Sequence, residues 1–247
     1  MPRLRGYLLS TLFAGCLLPA PALAAEAEPL LLYFRAAVTI EPDGTLSQLA
    51  WADGEKIPVV LRDRLDARVR SWAFEPGAVA GQPARTESTL LLTLNAMPRD
   101  GGLDVRVEQA QTGANMARML PPEYPRNALR AGDEAAVLAS LLIDADGSRH
   151  FKVAGYQGDK RHRKAFEEAV ENMLATTRYQ PERVGGHPVP AEFSVPVTFC
   201  MGSEWCDDPE WPGSATAPER PRATAPGSPT PVGSVARLLT DVRGTDI

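Results

Sequence analysis

The feature that most limits how this chain folds is a piece of punctuation that occurs twice. Residues 74–85 read FEPGAVAGQPAR and residues 179–190 read YQPERVGGHPVP. Shifted by 105 positions, Phe74, Pro76, Gly81 and Pro83 fall on Tyr179, Pro181, Gly186 and Pro188. At the same shift Leu61, Leu65 and Val69 fall on Phe166, Val170 and Leu174. Each half therefore carries an apolar stripe at i, i+4, i+8, one face of an amphipathic helix. Further upstream, Asp43-Gly44 answers Asp146-Gly147, each pair lying between alternating runs: VTIEP and TLSQLAW, then VLASLLIDA and SRHFKVAGY. Asp-Gly in that setting signals a β-hairpin, with Gly44 or Gly147 supplying the positive φ that the turn requires.

Each half is thus predicted as strand, turn, strand, helix, punctuated loop and last strand, the last being STLLLTL at 88–94 or AEFSVPVTF at 191–199. The expected fold class is α+β: two tandem β-β-α-β modules, each a small antiparallel sheet backed by a helix. In the loops, the aromatic is expected to pack beneath the sheet, the first proline to stop the helix, the glycine to allow a tight reversal and the second proline to start a strand.

The expected boundaries are a leader at 1–24, modules at 28–97 and 117–203, a linker at 98–116 and a tail at 204–247. The linker reading rests on the lack of a clear period over residues 110–122, after a short strand at 103–107. Residues 207–231 are crowded with proline, serine, alanine and threonine, which bury too little apolar surface to offset chain entropy, so disorder is expected there. Beyond them, Ser234 is placed to cap a short helix with Val235, Leu238, Leu239 and Val242 on one face. Such a helix is too short to stand alone, so it docks or frays.

The N-terminus has a basic head (Arg3, Arg5), an apolar run from Tyr7 to Leu18 and the small-residue pattern Ala22-Leu23-Ala24. That order reads as a secretory signal cut before Ala25, so the mature chain is expected to be exported. Two alternatives stay open. The uncharged run from Gly6 to Ala25 is long enough to span a bilayer if uncut, and Phe13-Ala14-Gly15-Cys16 is an imperfect lipoprotein site. Pro19 and Pro21 oppose a spanning helix, because each removes a backbone donor that hydrocarbon cannot replace.

Export leaves Cys200 and Cys206 as the mature cysteines, and in an oxidising compartment a disulfide between them is expected to close a tight loop. Its loop entropy is worth about 2 kcal/mol. These two cysteines and the scattered His150, His162 and His187 do not supply four clustered zinc ligands, so no metal and no cofactor are expected.

The formal charge is −5, and −7 once Arg3 and Arg5 are left out, 24 basic residues standing against 31 acidic ones. That balance argues against nucleic acid as a partner. The chain has no G-x-S-x-G, H-E-x-x-H or glycine-rich phosphate loop, and catalysis is not expected. The run DKRHRK at 159–164 opens the second helix at the end where the dipole is already positive. It reads either as a contact for an acidic partner or as a solvated loop neutralised by Asp159, Glu167 and Glu168.

The order of these parts, with PPEYPRNALRAG ahead of the second copy, resembles the C-terminal domain of the TonB family. The residues that carry the likeness are Tyr124-Pro125 with Ala128 and Gly132, the Asp146-Gly147 turn, Tyr179-Gln180-Pro181, Gly186 and the closing VPVTF from Val195 to Phe199. Trp72-Ala73-Phe74-Glu75-Pro76 looks like the family's aromatic-x-aromatic-x-Pro, where the second copy has Thr177. The resemblance covers residues 117–201 and, more loosely, the first copy, which lacks the Tyr-Pro helix.

It implies a small periplasmic domain that binds proteins rather than transforming substrates. In the family an extended segment from an outer-membrane transporter pairs beside the last strand, by β-augmentation. The edge implied here is Ala191, Glu192, Phe193, Ser194 and Val195, then Val197 and Phe199 beyond Pro196. A proline is tolerated there only where its missing donor faces outward or at a bulge. Each backbone bond adds only about 0.5–1.5 kcal/mol net, so binding of a short segment is expected to be weak to moderate.

The chain departs from a full energy transducer in having no proline-rich spacer before the folded part and no histidine before His150. The expectation is therefore an exported, non-enzymatic protein-binding module. The alternatives are an anchored TonB-type transducer with an uncut N-terminus and a structural envelope protein. The oligomeric state is left open.

Overall fold

The computed structural model describes residues 29–99, 102–203, 205, 209 and 229–247. Alternating apolar side chains at Ala36, Val38 and Ile40 bury one face of β1 (Leu30–Ile40), which turns back through Asp43-Gly44 into β2 (Leu46–Trp51). Helix α1 (Val59–Arg70) follows, then three two-residue strands in the punctuated loop: β3 (Phe74–Glu75), β4 (Ala78–Val79) and β5 (Gln82–Pro83). The long β6 (Thr86–Arg99) then returns antiparallel beside β1, giving the order β2-β1-β6.

Two strands come next, β7 (Gly102–Gly113) and β8 (Asn115–Arg118), and then the short helix α2 (Arg126–Ala131). Past α2 comes a second hairpin. The hairpin β9 (Ala135–Ile143) and β10 (Arg149–Gly158) leads to α3 (Arg163–Thr176), and the loop strands are β11 (Arg178–Gln180), β12 (Arg183–Val184) and β13 (His187–Pro188). Strand β14 (Ala191–Phe199) then pairs with β9, giving β10-β9-β14. The chain ends through β15 (Thr230–Pro231) and β16 (Arg237–Leu238).

The two hairpin turns agree bond for bond. Gly44 and Gly147 have φ of 84° and 89°, and the preceding aspartate accepts the amide of Thr45 at 3.0 Å or of Ser148 at 2.8 Å. These bonds hold both carboxyls below their ordinary pKa; the Thr45 hydroxyl contributes most at Asp43 and the Ser148 amide most at Asp146. The helical stripes bury Leu65 and Val69 in one core and Phe166, Val170 and Leu174 in the other, with Leu61 half-buried against the first.

Three expectations are corrected. First, neither helix is stopped by a proline: α1 ends at Arg70 and α3 at Thr176, both before the aromatic of the loop. Side chains take the last carbonyls instead. The Ser71 hydroxyl donates to the Arg68 carbonyl, and the hydroxyls of Thr176 and Thr177 donate to that of Met173. The Arg149 guanidinium donates to the carbonyls of Leu174 and Ala175 at 2.7 and 2.8 Å, a cation at the negative end of the helix.

Second, residues 98, 99, 102–113, 115 and 116 of the expected linker lie in strands. β7 pairs with β6 from Arg99↔Gly102 to Thr89↔Gly113, and β8 pairs with β11. A bulge opposite Thr93/Leu94 hides the strand from a search for period 2. By admitting one extra residue on β7, it turns Val107 and Ala110 to the same core.

Third, residues 229–247 lie docked in extended form. β15 pairs with β14 and β16 with β3, while Ala236 and Val242 are buried in the first core. No helix starts at Ser234. The Thr112 hydroxyl donates to the Ala236 carbonyl at 2.6 Å and the Ile247 amide to the Val105 carbonyl at 2.9 Å, so the tail's backbone finds partners in the first half. Residues 207, 208 and 210–228 of the expected disordered tail lie outside the described residues.

The halves interlock through their punctuated loops. β12 joins the first sheet by pairing with Thr86 and Glu87 of β6, and the Gly185 amide donates to the Arg85 carbonyl at 2.9 Å. Gly77 lies so close that a Cβ there would stand 2.6 Å from Val184 Cγ2. Beside this contact the Glu182 carboxylate is buried, 3% exposed. One of its oxygens accepts the hydroxyls of Ser88 and Ser234, each at 2.6 Å, and the other accepts the Val235 amide at 3.1 Å. A buried carboxylate persists only where such donors replace water. Glu182→Ala strips three donors of their acceptor and is expected to cost about 2–4 kcal/mol, read as a lower urea midpoint, with Glu182→Gln in between.

Candidate partner-binding edge

The side chains of β14 divide by parity. Ala191, Phe193, Val195, Val197 and Phe199 are buried in the second core, whereas Glu192, Ser194, Pro196 and Thr198 lie on the other face. Aromatic rings hold the strand from below: Phe166 lies 4.8 Å from Phe199, Tyr124 5.5 Å from Phe199 and Tyr179 6.1 Å from Phe193, centroid to centroid.

The backbone divides the same way. β14 pairs with β9 without a bulge from Ala191↔Ile143 to Phe199↔Ala135. On the far side, the Val232 amide donates to the Glu192 carbonyl at 2.8 Å, so Glu192 points its backbone away from β9. In an antiparallel strand the N–H and C=O of one residue leave on the same side, and alternate residues share a side. The outward set is therefore Glu192, Ser194, Pro196 and Thr198. Pro196 sits where its missing donor costs the β9 ladder nothing.

Seven residues were named from the sequence as the edge, and only Glu192 and Ser194 among them present backbone outward. Ala191, Phe193, Val195, Val197 and Phe199 turn theirs to β9. Pro196 and Thr198 complete the outward set and were missed, although counting by twos from Pro196 would have found them. Residues 230–232 already lie across the start of this edge, pairing Thr230 with Ser194 and Pro231 with Phe193. Beyond Ser194, no strand among the described residues pairs with this side of β14.

The motif residues support the frame. Pro125 precedes α2, and the Tyr124 hydroxyl donates to the Asp133 carbonyl at 2.6 Å. Gly132 ends α2 with φ 73°, and Gly186 has φ 82° in the turn between β12 and β13. Tyr179 lies in β11, just before Pro181. In the basic run Arg161, Arg163 and Lys164 stand against Asp159, Glu167 and Glu168 at 2.7–3.7 Å, the arrangement of a neutralised loop.

The three histidines stay apart: His150 meets Asp144, His162 meets Asp133, and His187 lies in β13. Among the described residues no three His, Cys, Asp or Glu side chains converge as a metal would require. A hollow lined by Asp133, Glu134, Gln157 and Trp205 is acidic, but its carboxylates are engaged: Asp133 with His162, and Glu134 with the amides of Met201 and Ser203. Cys206 and the leader at residues 1–24 lie outside the described residues, and among those described no helix is long and apolar enough to cross a membrane.

Residues 121–201 match the family model described as Gram-negative bacterial TonB protein C-terminal. The matched span runs from ahead of Tyr124 through the Asp146-Gly147 turn and Tyr179 to the end of β14. It is similar to a non-enzymatic, envelope-associated protein-interaction domain tied to transport, and the match is confined to the second half. No curated protein and no solved structure matches the chain.

The tyrosines of this TonB-like region yield two predictions. Tyr124 has a partner for its hydroxyl, whereas the buried Tyr179 hydroxyl has none among the described residues. Tyr124→Phe is expected to cost about 1 kcal/mol in chemical denaturation, and Tyr179→Phe to cost nothing or to stabilise by up to about 1 kcal/mol. Burial also raises the phenol pKa of Tyr124 and Tyr179, and pushes that of Tyr156 from 10.0 to about 12. The fold thus favours the neutral phenols: this stabilisation is complete below the unfolded value of 10.0 and is lost as pH rises through the raised values, which for Tyr156 is about 12. Phenolate absorbance followed alongside circular dichroism should show phenolate forming at higher pH in the folded chain than in the same chain unfolded in urea.

Proposed function

We propose that this chain is an exported periplasmic protein-binding module whose TonB-like region receives extended protein segments by strand addition along β14, with periplasm-facing segments of outer-membrane transporters as the partner class. We further propose that the first half is a diverged copy of the same module, and that Cys200 and Cys206 form a disulfide just after β14. The observation that carries the reading is the state of the two corresponding edges. β6 is closed by β12 at Thr86–Glu87 and by β7 from Thr89 onward, whereas among the described residues β14 is crossed only at Glu192–Ser194.

A visiting strand would find both backbone groups at Glu192, Ser194 and Thr198 but only a carbonyl at Pro196. At about 0.5–1.5 kcal/mol for each bond, such a ladder supports weak to moderate binding, with side chains supplying the choice of guest. Tyr124, Tyr179 and Phe166 act indirectly, by fixing the strand from the core side.

Titration of the ¹⁵N-labelled mature chain with peptides from the periplasmic face of outer-membrane transporters should shift the amides of Ser194, Thr198 and Val232. No shift along residues 191–199 with any such peptide would instead assign the chain a structural role in the envelope. Mass spectrometry of the purified protein should find Ala25 at the N-terminus; an intact Met1 would indicate the anchored transducer.

A further inference from the structure

The segment that crosses β14 is tied to the other half of the molecule. From Pro231 the chain passes over the end of β7, where a Cβ on Gly113 would stand 2.7 Å from Pro231 Cγ. Ser234 and Val235 then bond Glu182, and Thr112 bonds the Ala236 carbonyl. β16 pairs with β3, and Arg237 meets Glu75 at 2.5 Å. The Ala73 amide donates to the Thr240 hydroxyl at 2.8 Å, Val242 is buried in the first core, and Arg68 donates to the Asp246 carbonyl at 2.9 Å. Apart from Glu182, every group named here as holding residues 234–247 belongs to the part of the chain before β8.

The strand so held is built to close an edge. Val232 bonds Glu192, so Thr230 and Ser194 form the next hydrogen-bonded pair, and Pro231 stands opposite Phe193 where no donor is needed. Pro229 and Pro231 flank Thr230. The segment therefore donates toward β14 but has no N–H on its far side at either proline, and no further strand can extend the sheet through those positions.

We propose that the first half of the chain works as a clasp: by gripping residues 234–247 it holds residues 229–232 across the guest position of β14, and an outside segment gains that edge only by displacing them. This rests on the strand-addition reading above and adds its regulation. Displacement lowers the apparent affinity by the fraction of molecules in which the edge is open. Loosening the clasp from the first half therefore tightens binding at a strand in the second half.

Two variants of the full mature chain test this. Thr230→Pro removes the donor facing Ser194 and leaves residues 234–247 in place; Gly113→Val puts a side chain under Pro231 from the first half. The readouts are hydrogen exchange at the Ser194 amide and binding of a labelled peptide copying residues 227–236, added in trans. Both variants should speed Ser194 exchange at least tenfold and bind the peptide at least tenfold more tightly than the parent chain. Equal Ser194 exchange in parent and Thr230→Pro would overturn the closure, and a response to Thr230→Pro without one to Gly113→Val would overturn the part played by the first half. Faster exchange in both variants with no peptide binding in either would instead remove the strand-addition reading, and the gating role with it.

Discussion

The carboxylate of Glu182 joins three parts of the chain that lie far apart in sequence. It sits in the second punctuated loop and takes its hydrogen bonds from β6 of the first half and from the C-terminal segment. A charge removed from water must be met by donors at close range, so the three parts have to be assembled together for the site to be satisfied. The contact of Gly77 with Val184 and the pairing of β12 with β6 follow from the same approach of the two loops. What reads in the sequence as two units and a linker is intergrown: β7 completes the first sheet, β12 extends it, and the tail lies on both halves.

The two sheets differ in how their outer edges are covered. In each, a hairpin is followed by a helix and a strand that returns beside the first, leaving an outer edge on that last strand. On β6 the edge is filled along its length by neighbours in the same chain. On β14 it carries Pro196, a crossing of three residues, and Thr198 beyond. An unpaired edge invites indiscriminate pairing, and both devices limit it. Pro196 removes one donor, and the docked segment occupies the backbone groups of Glu192 and Ser194. The aromatic cluster of Tyr124, Phe166 and Phe199 keeps β14 fixed from the core side whatever pairs along its margin.

The parts that were legible in the sequence are those whose physics is local. The Asp-Gly turns announce themselves because positive φ and the aspartate's own hydrogen bond are settled within five residues. The stripes of Leu65 and Val69 and of Phe166, Val170 and Leu174 announce themselves because a helix repeats every turn. The helix ends were misread because the last carbonyls are met by Thr177 and Arg149, one local and the other supplied by β10. Strand β7 was misread because a bulge broke its period, and the tail because its partners are far off in the chain, 52 residues away at Glu182 and 124 at Thr112. Of the candidate edge, the strand was found, but which of its residues face outward was not.

Taken alone, the amino-acid sequence determined the two hairpins, the two amphipathic helices, the last strand of each half and the likeness of the second half to a TonB C-terminal domain. All of these arise from interactions between residues near in the chain or from a pattern repeated along it. Tertiary structure alone decided that β7 and β12 close one edge, that residues 230–232 cross the other, and that Glu182 is satisfied at their meeting point. Backbone groups and buried charges take whichever partners packing brings within reach, and nothing local to residues 182, 196 or 230 specifies those partners.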